Sequence, residues 1–251
     1  MNTKLLRYEI RNIKGNIFAI FFGIVFPIIM SLIISKVHLN QVPAAAKEHA
    51  MTNVFLTMSM MVPLALIIIC YGSNYALELE KDIPIRMTLF GFKERQLFIS
   101  KFIAYLIFTI ISVLIYVIVD IFVLDLLKPD IGMLTIYIVT MLVMSLFFFM
   151  IAHGIAMFCS KYGSAFATCM FVYFGFMILC GMMGITVEQL PSPIKRIAYF
   201  LPMSYVSSEF ADFWDKGGYD CKNLVLSFVF LFIIASLILM AGSYKYKKRN
   251  K

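Results

Sequence analysis

Six long stretches of this chain are apolar and almost free of charge, and no other feature limits the possible folds so strongly. They cover residues 15–35, 51–77, 102–124, 132–158, 163–185 and 223–244. About 20 apolar residues in a helix cross the roughly 30 Å hydrocarbon layer of a bilayer. Inside that layer the backbone must satisfy its own hydrogen bonds, so each run is expected to be a helix. The fourth and fifth runs are nearly continuous, and a tight turn around Lys161 and Gly163 divides them. Pro27 and Pro63 fall inside runs one and two, where they are expected to kink the helices. The expected fold is an all-α membrane protein with six transmembrane helices.

Composition excludes the soluble alternatives. Hydrophobic residues make up 62% of the 251 and charged residues only 14%, against about a quarter charged in an ordinary globular domain. One soluble core of this size could not hide so much apolar surface. A soluble enzyme, a secreted disulfide scaffold and a nucleic-acid binder are thereby set aside. The net charge of +8 collects at the ends of the runs and reads as a topology signal. Cys70, Cys159, Cys169, Cys180 and Cys221 form no C-x-x-C pair and no zinc spacing, so they read as packing residues. A signal peptide is not expected. The first run exceeds the usual hydrophobic region of roughly 7–15 residues, and Pro43–Ala46 lies well beyond its end.

Orientation follows from Lys and Arg. With the N-terminus inside, fifteen of the 22 basic residues are inside and seven outside. An even number of spans puts both termini on one side, so both are expected in the cytoplasm of a multi-pass cell-membrane protein. Residues 1–14 are expected to form an amphipathic interfacial helix. At about 100° per residue, Leu6, Ile10 and Ile13 fall in one sector and Lys4, Arg7, Arg11 and Lys14 in the next. Such a helix lies along a membrane surface with its basic arms at anionic headgroups.

Two connections exceed simple turns. Residues 78–101, on the inner side, mix charges with Ile83, Ile85, Met87, Leu89, Phe90 and Phe92. Pro84 suits the first turn of a short helix and Gly91 its end. That helix fits either a groove on a partner protein or the membrane surface. Residues 186–222, on the outer side, are too apolar to float free and too broken by Pro191, Pro193, Pro202, Gly217 and Gly218 to span. Short re-entrant or interfacial helices are expected there, with Trp214, Tyr199, Tyr205 and Tyr219 at headgroup level.

Chemistry within the chain is sparse. The dipeptide Gly-Lys never occurs, so no Walker-type phosphate cradle exists. The candidate ionisable groups inside the runs are Asp120 and His153. Asp120 lies near the outer end of its run, within reach of the interface, and His153 reads as a packing histidine before a proton relay. No nucleophile–base set and no metal set is visible, so no catalytic residue, no metal ligand and no bound cofactor are expected.

Together these features resemble the type-2 ABC transporter permeases, the ABC-2 exporters, across the whole chain. The charged loop of that family carries E-x-E-x-G-T and, later, a Gly-Lys. Here Glu78-Leu-Glu80 matches, Asp82-Ile83 stands where Gly-Thr is usual, and Ser100-Lys101 stands for Gly-Lys. The outer segment resembles the second family signature, with Pro191 and then Pro202-Met-Ser-Tyr205. The resemblance implies a permease subunit of an ATP-driven exporter, paired with a second copy of itself or a related permease. Two ABC ATPase subunits would bind ATP and Mg and supply the energy. Loop 78–101 would be the coupling element, with Glu80, Asp82, Ile85, Arg86, Leu89 and Phe90 at the ATPase contact. Pro191, Pro202 and Tyr205 would lie near the exit. An apolar or amphipathic substrate is implied, with peptides favoured, including antimicrobial or cytolytic peptides of the phenol-soluble modulin type, and drugs or lipids next. The role would be export or self-protection. A non-transporting membrane anchor or sensor, whose outer segment binds a ligand, is the reading from another class.

Overall fold

The structure is a computed structural model that describes residues 3–39 and 42–249. Lys251, one of the inner charges counted above, lies outside the described residues. Every regular element among them is helical. An N-terminal helix, Thr3–Lys14, precedes six helices long and apolar enough to cross a membrane. These spans are Ile17–Val37, Ala44–Glu80, Glu94–Val123, Ile131–Cys159, Tyr162–Leu179 and Lys222–Arg249. The protein is therefore an all-α membrane protein.

The second span is the centre of the bundle. Its most apolar window is entirely buried, whereas those of the first, fifth and sixth spans are 22% buried. The first, third, fourth and fifth spans all pack on it. Its 37 residues extend about 55 Å at 1.5 Å per residue. It therefore overshoots the hydrocarbon at both ends and carries polar residues there.

The two intraspan prolines act through local rewinding. Span one turns as a π-helix over Phe21–Val25, ending two residues before Pro27. Span two breaks at Met60, before Pro63, and continues as a π-helix over Leu64–Tyr71. Proline removes an N–H and crowds the preceding turn; the wider turn before Pro27 and the break at Met60 before Pro63 relieve both effects. The two widened segments face each other, because a Cβ on Gly23 would fall on the Leu66 side chain.

The N-terminal helix packs on the start of the third span. Its buried stripe is Leu5, Glu9 and Ile13, leaving Arg7, Arg11 and Lys14 exposed. Tyr8 and Glu9 share a cavity with Tyr246 and Lys247. The two ends of the described chain thus lie at one end of the bundle.

At the far end, residues 186–222 fold back over the second span as short helices. These are Val187–Gln189, Ser192–Ala198, Pro202–Ser208 and Phe210–Phe213. Trp214 is 3% exposed, and its Nε1–H donates to the Leu127 carbonyl at 3.1 Å. Tyr205 and Tyr219 are buried as well. Three of the four aromatic residues expected at headgroup level therefore cover protein, and only Tyr199 is half-exposed.

Candidate functional site

The connection between spans two and three forms the most elaborate feature at the termini end. A short helix, Ile83–Leu89, protrudes there. Pro84 sits in its first turn, where the missing N–H costs nothing. Asp82 precedes it with φ 53°, a left-handed conformation that short polar side chains tolerate. Gly91, at φ 88°, closes it. The Gly91 N–H donates to the Thr88 carbonyl at 2.9 Å and the Phe92 N–H to the Met87 carbonyl at 3.1 Å. This is the Schellman arrangement.

The two faces of this helix differ. Ile83, Pro84 and Met87 are half-buried and, with the edge of Ile85, line a cavity of about 630 Å3 together with Leu97 and Phe98. Ile85 is 41% exposed, Leu89 82% and Phe90 81%. Ile85 and Leu89 are four residues apart and share one face. Asp82 and Arg86 are exposed beside them.

Below the helix lies a buried ionic cluster. The Lys101 ammonium donates to Glu9 at 2.8 Å and lies 2.7 Å from Glu78. All three residues are less than 9% exposed. Glu9 belongs to the N-terminal helix, Glu78 to the end of span two and Lys101 to the start of span three. One ammonium therefore joins three helices. Burial raises the Glu9 carboxyl above its ordinary range, while the neighbouring lysine pulls the other way. Glu80 is engaged separately, accepting the Tyr162 N–H at 2.7 Å at the start of span five. Both glutamates of the E-x-E pattern thus anchor the base of the protruding helix. That role for Glu80 is geometric; its carboxylate points to span five as well as lying near the loop surface.

Asp120 and His153 are both buried. Asp120 is 0% exposed and accepts the Ser31 hydroxyl at 2.7 Å, which joins spans three and one. It does not reach the interface, because Tyr116 and Ser31 cover it within the bundle. His153 Nδ1 lies 2.6 Å from the Tyr71 hydroxyl. Its ring stacks on Tyr75 at 4.5 Å and meets Phe98 edge-on at 4.9 Å. These contacts are those of a packing histidine. His153→Phe is expected to keep the stacking but leave the buried Tyr71 hydroxyl without its partner. The expected cost is about 1–3 kcal/mol, read as a lower thermal midpoint in mild detergent, with Tyr71→Phe in the same background restoring most of it.

Pro191 and Pro202 each lie at a helix start in the far-end segment. Tyr205 is buried, with its ring 5.7 Å from that of Tyr199. The structure thus brings Glu80, Asp82, Ile85, Arg86, Leu89 and Phe90 together at one end, and Pro202 and Tyr205 together at the other. Sequence reasoning missed Glu9. An acid in line with Leu5 and Ile13, on the packed stripe of an amphipathic helix, was the signal, since a buried carboxylate needs a cation.

Six apolar spans, the second of them buried at the centre of the bundle, with a protruding helix pinned beneath, define a multi-pass membrane protein. The family profile of the ABC-2 type transporter matches residues 3–212. The chain belongs to that family and is a membrane permease component of an ABC transporter, a transport part and not a catalytic one. No curated protein matches the chain.

Proposed function

We propose that this permease moves an apolar or amphipathic substrate outward, driven by a separate ATPase pair that docks on the Ile83–Leu89 helix. The observation that carries this reading is the exposure of Leu89 and Phe90, above 80% each, on a helix held by buried ions and a closed C-cap. An unpartnered mobile turn would need neither feature. Both termini and this helix would face the cytoplasm, as the distribution of basic residues favours. ATP and Mg would bind the ATPases, and a second permease copy would complete the conduit. Amphipathic peptides are the favoured cargo, because 25 Phe and 18 Met offer a pliable apolar lining. Drugs and lipids come next. The far-end helices with Pro191, Pro202 and Tyr205 would shape the exit. The sensor reading draws support from one feature, a far-end cavity of about 160 Å3 lined by Asn53, Thr57, Glu188 and Ser207.

The test is the double substitution Leu89→Ala with Phe90→Ala. Burying each side chain in a partner groove contributes at most about 1.5–3 kcal/mol before ordering costs. The double variant is therefore expected to bind a co-expressed ATPase subunit tenfold or more less tightly. Transport-linked ATP turnover should fall with it, while Lys216→Ala at the far end changes neither. If the double variant retains the ATPase and transports normally, this helix is not the docking element.

A further inference from the structure

A second basic feature lies at the termini end, apart from the protruding helix. The turn between spans four and five brings Ser160 and Lys161 beside the last turns of span six. Together they enclose a cavity of about 400 Å3 lined by Phe158, Ser160, Lys161, Lys245, Lys248 and Arg249. Four cations from segments more than 80 residues apart thus converge on one concave site, and no acidic side chain lines it. None of the four makes an ion pair among the described residues. Glu80 accepts the neighbouring Tyr162 N–H at 2.7 Å and does not line this cavity.

The walls are of two kinds. Phe158 is 47% exposed, and the Lys245 ammonium sits 3.8 Å from its ring centre, a cation–π distance that holds the charge over the cavity. The turn joins two membrane spans, so the site lies at the bilayer edge, with the apolar flanks of spans four and six below it. A free, solvated basic tail would repel itself and spread. Here the like charges are gathered around a space, which a bound anion would stabilise.

We propose that this cavity binds the anionic phosphate headgroup of a phospholipid from the leaflet at the termini end. The acyl chains would lie along Phe158 and the sixth span, and the phosphate would accept from Lys161, Lys248 and Arg249. The bound lipid would tie the end of span six to the turn between spans four and five. The assignment does not depend on the ATPase-docking reading, since it uses none of the same residues.

The experiment titrates the full chain in mild detergent with short-chain phosphatidylglycerol, short-chain phosphatidylcholine and glycerol phosphate, reading the thermal midpoint. Phosphatidylglycerol is expected to raise the midpoint saturably, while the other two leave it nearly unchanged. Each cation near a headgroup contributes on the order of 1 kcal/mol. Lys161→Gln with Lys248→Gln should therefore weaken the apparent affinity roughly thirtyfold, and Lys161→Arg with Lys248→Arg should retain it. A parallel variant with Lys128→Gln and Lys216→Gln, both exposed at the far end, should keep the titration near that of the wild type. The proposal is overturned if the first Gln pair titrates like the wild type, or if the Lys128/Lys216 variant loses as much affinity. It is equally overturned if glycerol phosphate alone gives the full shift, which would make this a free-phosphate site.

Discussion

Lys101→Met is expected to destabilise the protein more than any other single change at the termini end. The substitution keeps the length and apolar stem of the side chain and removes only its charge. Glu9 and Glu78 then remain buried, 2% and 8% exposed, with no cation between them. Breaking a buried ion pair from one side costs about 3–5 kcal/mol, because the partner charge is left in a poor solvent. Here two carboxylates are left, and they also repel each other. The loss should appear as a large drop in thermal midpoint in mild detergent and as release of the N-terminal helix to protease. Lys93→Met, at an exposed position, should shift stability by no more than about 0.5 kcal/mol.

The pH dependence of this variant has a definite sign. Burial already raises the Glu9 carboxyl, with Lys101 opposing it, so removing the lysine should raise it further. A carboxyl with a folded-state pKa above its unfolded value favours folding below the unfolded pKa. That contribution is lost as pH rises through the folded pKa. The gap between Lys101→Met and the wild type should therefore narrow on acidification. Adding Glu9→Gln and Glu78→Gln should recover most of the loss at neutral pH, since an uncharged set needs no counter-ion. A single variant that melts with the wild type at neutral pH would show that the three groups do not hold these helices together.

Much of this architecture was legible from residue order alone, for reasons that also explain what was not. Span length and charge exclusion are one-dimensional properties, so the six helices could be read directly. The short helix at Ile83–Leu89 was legible because Pro84 and Gly91 each have one conformational use at a helix end. Lateral arrangement was not legible. In lipid, a protein-facing and a lipid-facing Leu look alike, so the amphipathic signal that orients soluble helices fades. Nothing in the apolar pattern of span two distinguishes the buried centre of the bundle from its rim. Polar residues carry the remaining information, and they carry it in pairs. Ser31 and Ser35, one turn apart and both buried, mark the face of span one that meets Asp120, yet neither residue names its partner. Lys101 could be read as the stand-in for a family Gly-Lys, but Glu9, 92 residues away, could be matched to it only in space.

Gly242→Val tests the other contact that residue order conceals. Spans four and six pack along much of their length, and they touch closest where Gly154 meets Gly242. A Cβ on Gly242 would fall on the Gly154 carbonyl oxygen. A Cβ on Gly154 would lie 2.7 Å from the Ile238 carbonyl oxygen and 2.8 Å from the Leu239 nitrogen. The obstacles are backbone atoms on both sides, so no rotamer change can make room and the helices must separate. Overpacking commonly costs about 1–3 kcal/mol, and more where the backbone must move. Between membrane helices, van der Waals contact supplies much of the association, so a widened crossing forfeits contacts over several turns. Gly242→Val is therefore expected to cost about 3 kcal/mol or more. Gly175→Ala is the opposite case: it lies within the helix Tyr162–Leu179, and an added Cβ there meets nothing within 4 Å. It should be neutral or stabilise by about 0.4–1 kcal/mol through reduced backbone freedom in the unfolded chain. Thermal unfolding of both variants in the same detergent separates a packing contact from a general dislike of glycine replacement. If Gly242→Val melts with the wild type, spans four and six do not cross this closely. The basic end of span six would then lose the geometry that holds Lys245 and Lys248 over the turn at Lys161.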